Sequence, residues 1–290
     1  MKEFDVCNIC DGSGSFENAL EHKRIPSNVR KFKDHKFTVW RCKNCLSLHS
    51  KEAVDLAIYY NGYPINNNRL GYVIRASYSN RLKTLRKYGL KENHTILDFG
   101  CGTGLFVSFL KEQGYTAFGY DVFVDACADK DVLNRSYDIV VSYDVIEHFF
   151  SPLDFLHDLV KCLNKGGTLF LETPDAEKID LAKSEKFSMA LHQPFHRHIL
   201  TKKALLNLGR QVDLELLKTI NRSCMDTLYP IVNVRFLSDY VYQTGGILDT
   251  VFEKFNPKVL LKSPLLIFYC FFDYFFPQST TMVTVFRKEN

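Results

Sequence analysis

A Rossmann-like, doubly wound α/β sheet is the fold class this sequence predicts, and three observations predict it. Thr95 to Phe99 reads as a buried strand that runs into the glycine turn Gly100-Cys101-Gly102-Thr103-Gly104, and Leu105 to Leu110 then opens a helix. Further apolar runs follow at Ala117 to Tyr120, Tyr137 to Tyr143 and Thr168 to Thr173, with a helical pattern among them. Short continuous apolar runs are the mark of parallel strands covered on both faces. With 290 residues, 46% apolar and 24% charged, the chain can bury one substantial core plus a small appendage.

The appendage is expected at residues 1–50. Four of the nine cysteines form two C-x-x-C pairs, Cys7/Cys10 and Cys42/Cys45, both within this stretch. Each pair presents two thiolates from a tight turn, and two turns complete a tetrahedron around a zinc ion that supplies folding energy to a small module. Redox disulfides fit poorly with five other scattered cysteines, and iron-sulfur ligation fits less well still. Four thiolates leave no open coordination position, so the zinc is expected to be structural. Residues 51–94 read as a helical linker and lid, with Tyr59, Tyr60 and Tyr63 ahead of a basic helix from Gly71 to Lys87.

Residues 95–220 carry the main core. Its glycine spacing is not the dinucleotide pattern G-x-G-x-x-G, because the third glycine of that pattern would fall where Leu105 stands. Asp98-x-Gly100-x-Gly102-x-Gly104 instead resembles the cofactor loop of class I S-adenosylmethionine (SAM) methyltransferases. The order that follows is similar to that family's too. A strand ends in Asp121, the next ends in Asp144-Val-Ile-Glu147-His148, and Ser151-Pro152 starts a helix that stops at Asn164 to Gly167. Thr168 to Thr173 is the strand after it. The resemblance implies SAM as cofactor, contacted by Asp98, Gly100, Cys101, Gly102, Gly104, Asp121, Val122 and Tyr143, with Asp121 on the two ribose hydroxyls. It also implies a third strand with an acid that reads adenine. Only a short segment separates Asp121 from Tyr137, and Asp129 or Asp131 are the acids available there. Arg75 is a candidate partner for the SAM carboxylate.

Methyl transfer to a hydroxyl needs alignment and removal of a proton. Three of the nine histidines fall within seven residues, His192, His196 and His198, just before a helix started by Thr201. His196 is the expected general base, then His198, then His192, with His148 lining the acceptor pocket. The run Asp144-x-x-Glu147-His148 also resembles the E-x-x-E-H of ubiquinone-pathway and small-RNA O-methyltransferases, where two acids and two histidines hold a divalent metal; here the first acid is shorter.

Domain order makes the whole chain similar to bacterial methyltransferases of nucleotide-sugar and surface-polysaccharide pathways. That resemblance implies O-methylation of a sugar or glycan precursor, with C-methylation of a nucleotide-linked deoxysugar as the rival. A zinc-containing binding protein with an inactive SAM fold is the non-enzymatic alternative. The formal charge of +4 and the lack of a clustered basic face argue against a nucleic-acid partner. Residues 221–278 read as an aromatic-rich helical insertion, and residues 279–290 hold the last core strand, paired antiparallel with a strand at Asp213 to Thr219. Leu265 to Phe276 is too short to span a membrane and suits core packing, an oligomer contact or peripheral membrane attachment. Met1 to Asp5 carries no apolar leader, so the expected location is the cytoplasm, with membrane association only through that segment.

Overall fold

The computed structural model describes residues 4–10, 14–60, 69–276 and 280–289. Strands β1 (Glu21–Pro26), β2 (Lys36–Arg41) and β3 (Leu48–Ser50) form an antiparallel sheet between and after the two C-x-x-C turns. Helices α1 (Leu56–Tyr60) and α2 (Tyr72–Lys87) lead to β4 (Thr95–Phe99), α3 (Leu105–Glu112) and β5 (Thr116–Tyr120). Then come β6 (Tyr137–Tyr143), α4 (Pro152–Lys161), β7 (Leu163–Pro174), α5 (Ser188–Leu191), β8 (His198–Ile199), α6 (Lys202–Gln211) and β9 (Leu214–Ile220). The insertion holds α7 (Val234–Gln243), α8 (Lys258–Lys262) and α9 (Pro264–Phe272), and β10 (Thr281–Lys288) ends the core.

The large sheet has the order β5-β4-β6-β7-β10-β9, parallel except for β10, which runs antiparallel to both neighbours. Its strands are buried on both sides, so consecutive residues serve different layers. Leu97, Val140, Leu169 and Leu171 pack with Leu156 and Leu159 of α4 and Leu205 of α6. Ile96, Ile139, Val141, Phe170 and Val283 pack with Leu82 and Leu85 of α2 and Phe106 and Leu110 of α3. The predicted missing strand is indeed missing: among the described residues only short 3-10 turns lie between β5 and β6.

Local signals in the sequence act as expected. Ser151 Oγ accepts from Asp154 N and Pro152 fills the first turn of α4, while Thr201 Oγ1 accepts from Ala204 N at the start of α6. One detail differs: α4 ends at Lys161, because Leu163 already pairs with Tyr137 in the sheet. The buried face of α4 is Phe155, Leu156 and Leu159. In the insertion, α9 buries Leu266, Tyr269 and Cys270 but exposes Leu265, Phe268, Phe271 and Phe272, so only a narrow stripe packs inward. Among the described residues no helix is long and apolar enough to cross a membrane.

The small sheet is completed from a distance. β8, which follows the predicted histidine loop, pairs antiparallel with β3 through Leu48↔Ile199 and His49↔His198. At the end of β4, Gly100 has a φ of +82°, and a Cβ there would lie 2.3 Å from Val145 Cγ2. A side chain at Gly100 is therefore excluded twice, by torsion and by space. Gly100→Ala should cost about 3 kcal/mol of stability, read as a lowered melting temperature, and should loosen the glycine loop against the turn after β6.

Candidate functional site

The carboxyl ends of β4, β5, β6 and β7 meet at one edge of the sheet, where open α/β folds bind ligands. Gly100, Gly102 and Gly104 all take positive φ, and Gly102 has nothing within 4 Å of an added Cβ, so the loop leaves an open cradle. Asp121 holds it: Oδ2 accepts from Gly102 N at 2.9 Å and Oδ1 accepts from Phe123 N at 2.9 Å. Each oxygen retains a lone pair for an outside donor. Cys101 packs its sulfur against Gly119, where a Cβ would lie 2.8 Å away, so it braces the loop from behind. Val122 is exposed beside a cavity of about 320 Å³ that Phe99, Tyr120, Leu133 and Phe149 also line. Asp129 caps the following turn, with Oδ1 accepting from Asp131 N, and both acids are exposed.

Five acids face this edge, and burial raises the inner ones. Asp98 is pushed up to about 7 and Glu172 to about 8, burial being the first cause in both. Asp144 is open to solvent within the concavity and is also raised. The cation among them is Arg81, whose guanidinium lies 4.2 Å from the Tyr143 ring centre. Burial works against its charge, but Glu172 offsets this and holds Arg81 above its ordinary value. The Tyr143 hydroxyl, Glu172 Oε2 and Arg81 Nε are buried without hydrogen-bond partners. Arg75, the arginine that sequence reasoning chose, instead forms a two-pronged surface pair with Glu112. Arg81 was missed although it carries a readable sign: it sits beside Leu82 and one turn from Leu85, on the buried stripe of α2.

A second group of side chains lies next to the cradle. Glu147, His148 and His196 place potential ligand atoms within 4.8 Å of one another. Glu147 is fully buried; its Oε2 accepts from Thr173 Oγ1 at 3.0 Å, and its Oε1 has no hydrogen-bond partner and lies 3.8 Å from His196 Nε2. The Ala190 carbonyl can only accept, so His196 Nδ1 carries the proton at 2.7 Å and its Nε2 lone pair faces Glu147. Burial drives His196 down to about 4, which keeps it neutral, and drives Glu147 well above its ordinary value. His148 Nδ1 lies 3.0 Å from the hydroxyl of Tyr60, and the Tyr60 ring stacks on Phe123 at 4.2 Å, roofing the space between cluster and cradle. Tyr59 packs away from the site against Phe32 and His35, and Tyr63 lies outside the described residues.

The other sequence candidates fall elsewhere. His198 was ranked second as a base, but its Nε2 donates to the Phe150 carbonyl at 2.9 Å and its Nδ1 meets His49 Nδ1 at 3.1 Å. Neither nitrogen faces the acceptor space. His192 Nδ1 donates to Asn28 Oδ1 at 2.7 Å and the ring stacks on Phe195. Asp144 lies outside the Glu147/His148/His196 group, and His196 completes it in its place.

Cys7, Cys10, Cys42 and Cys45 are all free thiols brought together from both turns. Their sulfur separations are 3.5 Å for Cys7–Cys10, 3.7 Å for Cys7–Cys45 and 3.7 Å for Cys10–Cys42. A tetrahedron with zinc–sulfur bonds of about 2.3 Å has edges of about 3.8 Å, so the donor set fits zinc in kind and in size. The contact with Cys7 drives the Cys45 thiol down and Cys7 up, which stabilises a thiolate in the set.

The fold and edge geometry define a class I, SAM-dependent methyltransferase domain. The methyltransferase-domain family matches residues 71–219, just over half of the chain, and the chain belongs to that family. It is similar to a ubiquinone biosynthesis O-methyltransferase of Hydrogenovibrio crunogenus, 25% identical over 115 residues, or 32% of this chain and 48% of that protein. A protein of the same name from Rickettsia bellii is 27% identical over 134 residues, covering 39% and 53%. The chain thus spans about half the length of the curated relatives it matches. A chain from the complex between the Haloferax volcanii Trm112 methyltransferase activator and a methyltransferase shares the fold. It has a TM-score of 0.51 and 14% identity, covering 82% of this chain and all of that one.

Two outcomes follow. With zinc in the four-cysteine set, Cys10→Ser should lower the zinc content found by elemental analysis and lower the melting temperature, since a metal that binds only the folded donor set adds its binding energy to folding. His192 is buried neutral, with its pKa well below the ordinary histidine value because of burial. Below about pH 6.5 the unfolded chain therefore takes up a proton that the folded chain does not, and stability falls as pH falls. The melting temperature of His192→Gln should drop less than that of the native chain between pH 7 and pH 5.

Proposed function

We propose that this chain transfers a methyl group from SAM to a hydroxyl oxygen, with the acceptor activated at Glu147, His148 and His196. The observation that carries this reading is the unpartnered Glu147 Oε1 facing the His196 Nε2 lone pair, one turn of chain from the cofactor cradle. SAM suits the cradle in charge, because a sulfonium and an ammonium group meet the acids at Asp98, Asp144 and Glu172, while Arg81 is the cation for its carboxylate. Asp121 suits the ribose hydroxyls, since both of its oxygens keep a lone pair, and the mostly apolar cavity beside Val122 suits the purine.

Two routes remove the acceptor proton. Glu147, His148 and His196 are a carboxylate–imidazole donor set that would hold a divalent cation, and such an ion lowers the pKa of a bound hydroxyl. Neutral histidines and an unpaired carboxylate oxygen favour that route. In the metal-free route His196 Nε2 is the general base, although a pKa of about 4 makes it a weak one at neutral pH. The relatives' names support oxygen as the methylated atom. A sugar or glycan precursor is the acceptor that the domain order favours, and C-methylation of a nucleotide-linked deoxysugar is its rival.

His196→Ala should lower turnover of an accepted substrate by about 10²-fold to 10⁴-fold while the affinity for S-adenosylhomocysteine stays within twofold. Unchanged turnover overturns the assignment. Treatment with EDTA and gel filtration, with cysteine-bound zinc retained, should abolish turnover on the metal route and spare it on the other.

A further inference from the structure

We infer that the four-cysteine module is a positioning device for the catalytic cluster, acting through one backbone carbonyl, that of Phe150, and through the His49–His198 pair. The inference rests on the reading of Glu147, His148 and His196 given above. The cluster is built from two segments far apart in sequence, the turn Ile146–His148 after β6 and the loop that carries His196 ahead of β8. Neither lies within a long element that would fix it.

Each cysteine turn holds one of these segments. From the first turn, Asn8 Nδ2 donates to the Phe150 carbonyl at 2.7 Å, two residues beyond His148. Phe4, just ahead of that turn, packs edge-on against the Phe150 ring at 4.9 Å. From the second turn, the Cys45 carbonyl accepts from Thr201 Oγ1 at 3.0 Å, and Ser47 Oγ accepts from Thr201 N at 3.3 Å. The strand that leaves this turn, β3, pairs with β8, and Ser50 N donates to the Arg197 carbonyl at 2.9 Å.

The two held segments are then tied to each other. Arg197 N donates to the Glu147 carbonyl at 2.8 Å, and His198 Nε2 donates to the same Phe150 carbonyl that Asn8 reaches. That oxygen thus takes two donors, one from the cysteine module and one from the His196 loop, and uses both lone pairs. Because His198 Nε2 must donate there, a neutral His198 accepts at Nδ1 from His49 Nδ1, and His49 stacks on the buried Trp40 at 4.5 Å. Trp40 and His49 belong to β2 and β3, the strands that flank the second cysteine turn. A chain of contacts therefore runs from the cysteines to both halves of the cluster with no gap. His49, His198 and Asn8 are positioning residues, since none of them reaches the acceptor space.

The test uses the full chain with Asn8→Ala and His49→Phe, the first at an exposed hydrogen bond and the second keeping a ring against Trp40. Hydrogen exchange should quicken at the amides of Arg197, His198 and Phe149, with S-adenosylhomocysteine affinity unchanged in both variants and zinc content unchanged in Asn8→Ala, since His49 also contacts the Cys45 thiol. Turnover should fall about 10-fold to 100-fold in kcat with little change in KM, the size of effect typical when a residue that orients a ligand or base is lost. Exchange that stays at the native rate in both variants overturns the inference, whatever the activity. Faster exchange with native turnover overturns the inference too, because the cluster then works without the clamp; the catalytic reading itself fails only if His196→Ala keeps native turnover. His198→Asn, which restores a donor near the Phe150 carbonyl, should recover more activity than His198→Ala; equal losses count against the inference.

Discussion

The approach of Gly100 to Val145 sets the scale of everything at the sheet edge. A main chain without a side chain at the end of β4 lets the exit of β6 come within contact of the cofactor loop. The turn that Val145 begins then delivers Glu147 and His148 beside the cradle instead of one side-chain layer away. In the reaction we propose, methyl donor and acceptor must meet in line at near contact, so the spacing of these two loops would govern the transfer. Burying Asp98, Glu147 and Glu172 around one edge is costly in isolation, and Arg81 offsets part of that cost; a cationic ligand would offset more.

Most of the core was legible in the sequence because it obeys one-dimensional rules. Continuous apolar runs give parallel strands, Ser151-Pro152 and Thr201 start helices, and the glycine spacing identifies the loop. Even the absent third strand could be read from the short interval between Asp121 and Tyr137. The four cysteines converge as their spacing requires.

What the sequence concealed are relations between distant residues. His196 and His198 look equivalent two positions apart, yet His196 ends a turn whose amide donates to the His192 carbonyl while His198 already belongs to β8, so one reaches the cluster and the other His49. Arg75 and Arg81 share a helix but not a face, and only the buried stripe of α2 separates them. Pairing of β3 with β8 joins residues about 150 positions apart and has no local signature, because register between remote strands is fixed by tertiary packing. The exposed phenylalanines of α9 belong to the same class: an apolar run suited to core packing, an oligomer contact or a membrane surface does not say which of its residues face inward, and here Leu266, Tyr269 and Cys270 do.

Losing a strand after β5 also changes the rim of the molecule. β5 becomes the outermost member of the large sheet, with one side of its backbone unpaired by any other strand. Open rims of this kind invite another chain to add itself. Here the rim is only five residues long, and the 3-10 turns that follow fold back over its end, with Asp121 N donating to the Cys127 carbonyl. The same economy that removed a strand thus leaves too short a template for runaway stacking.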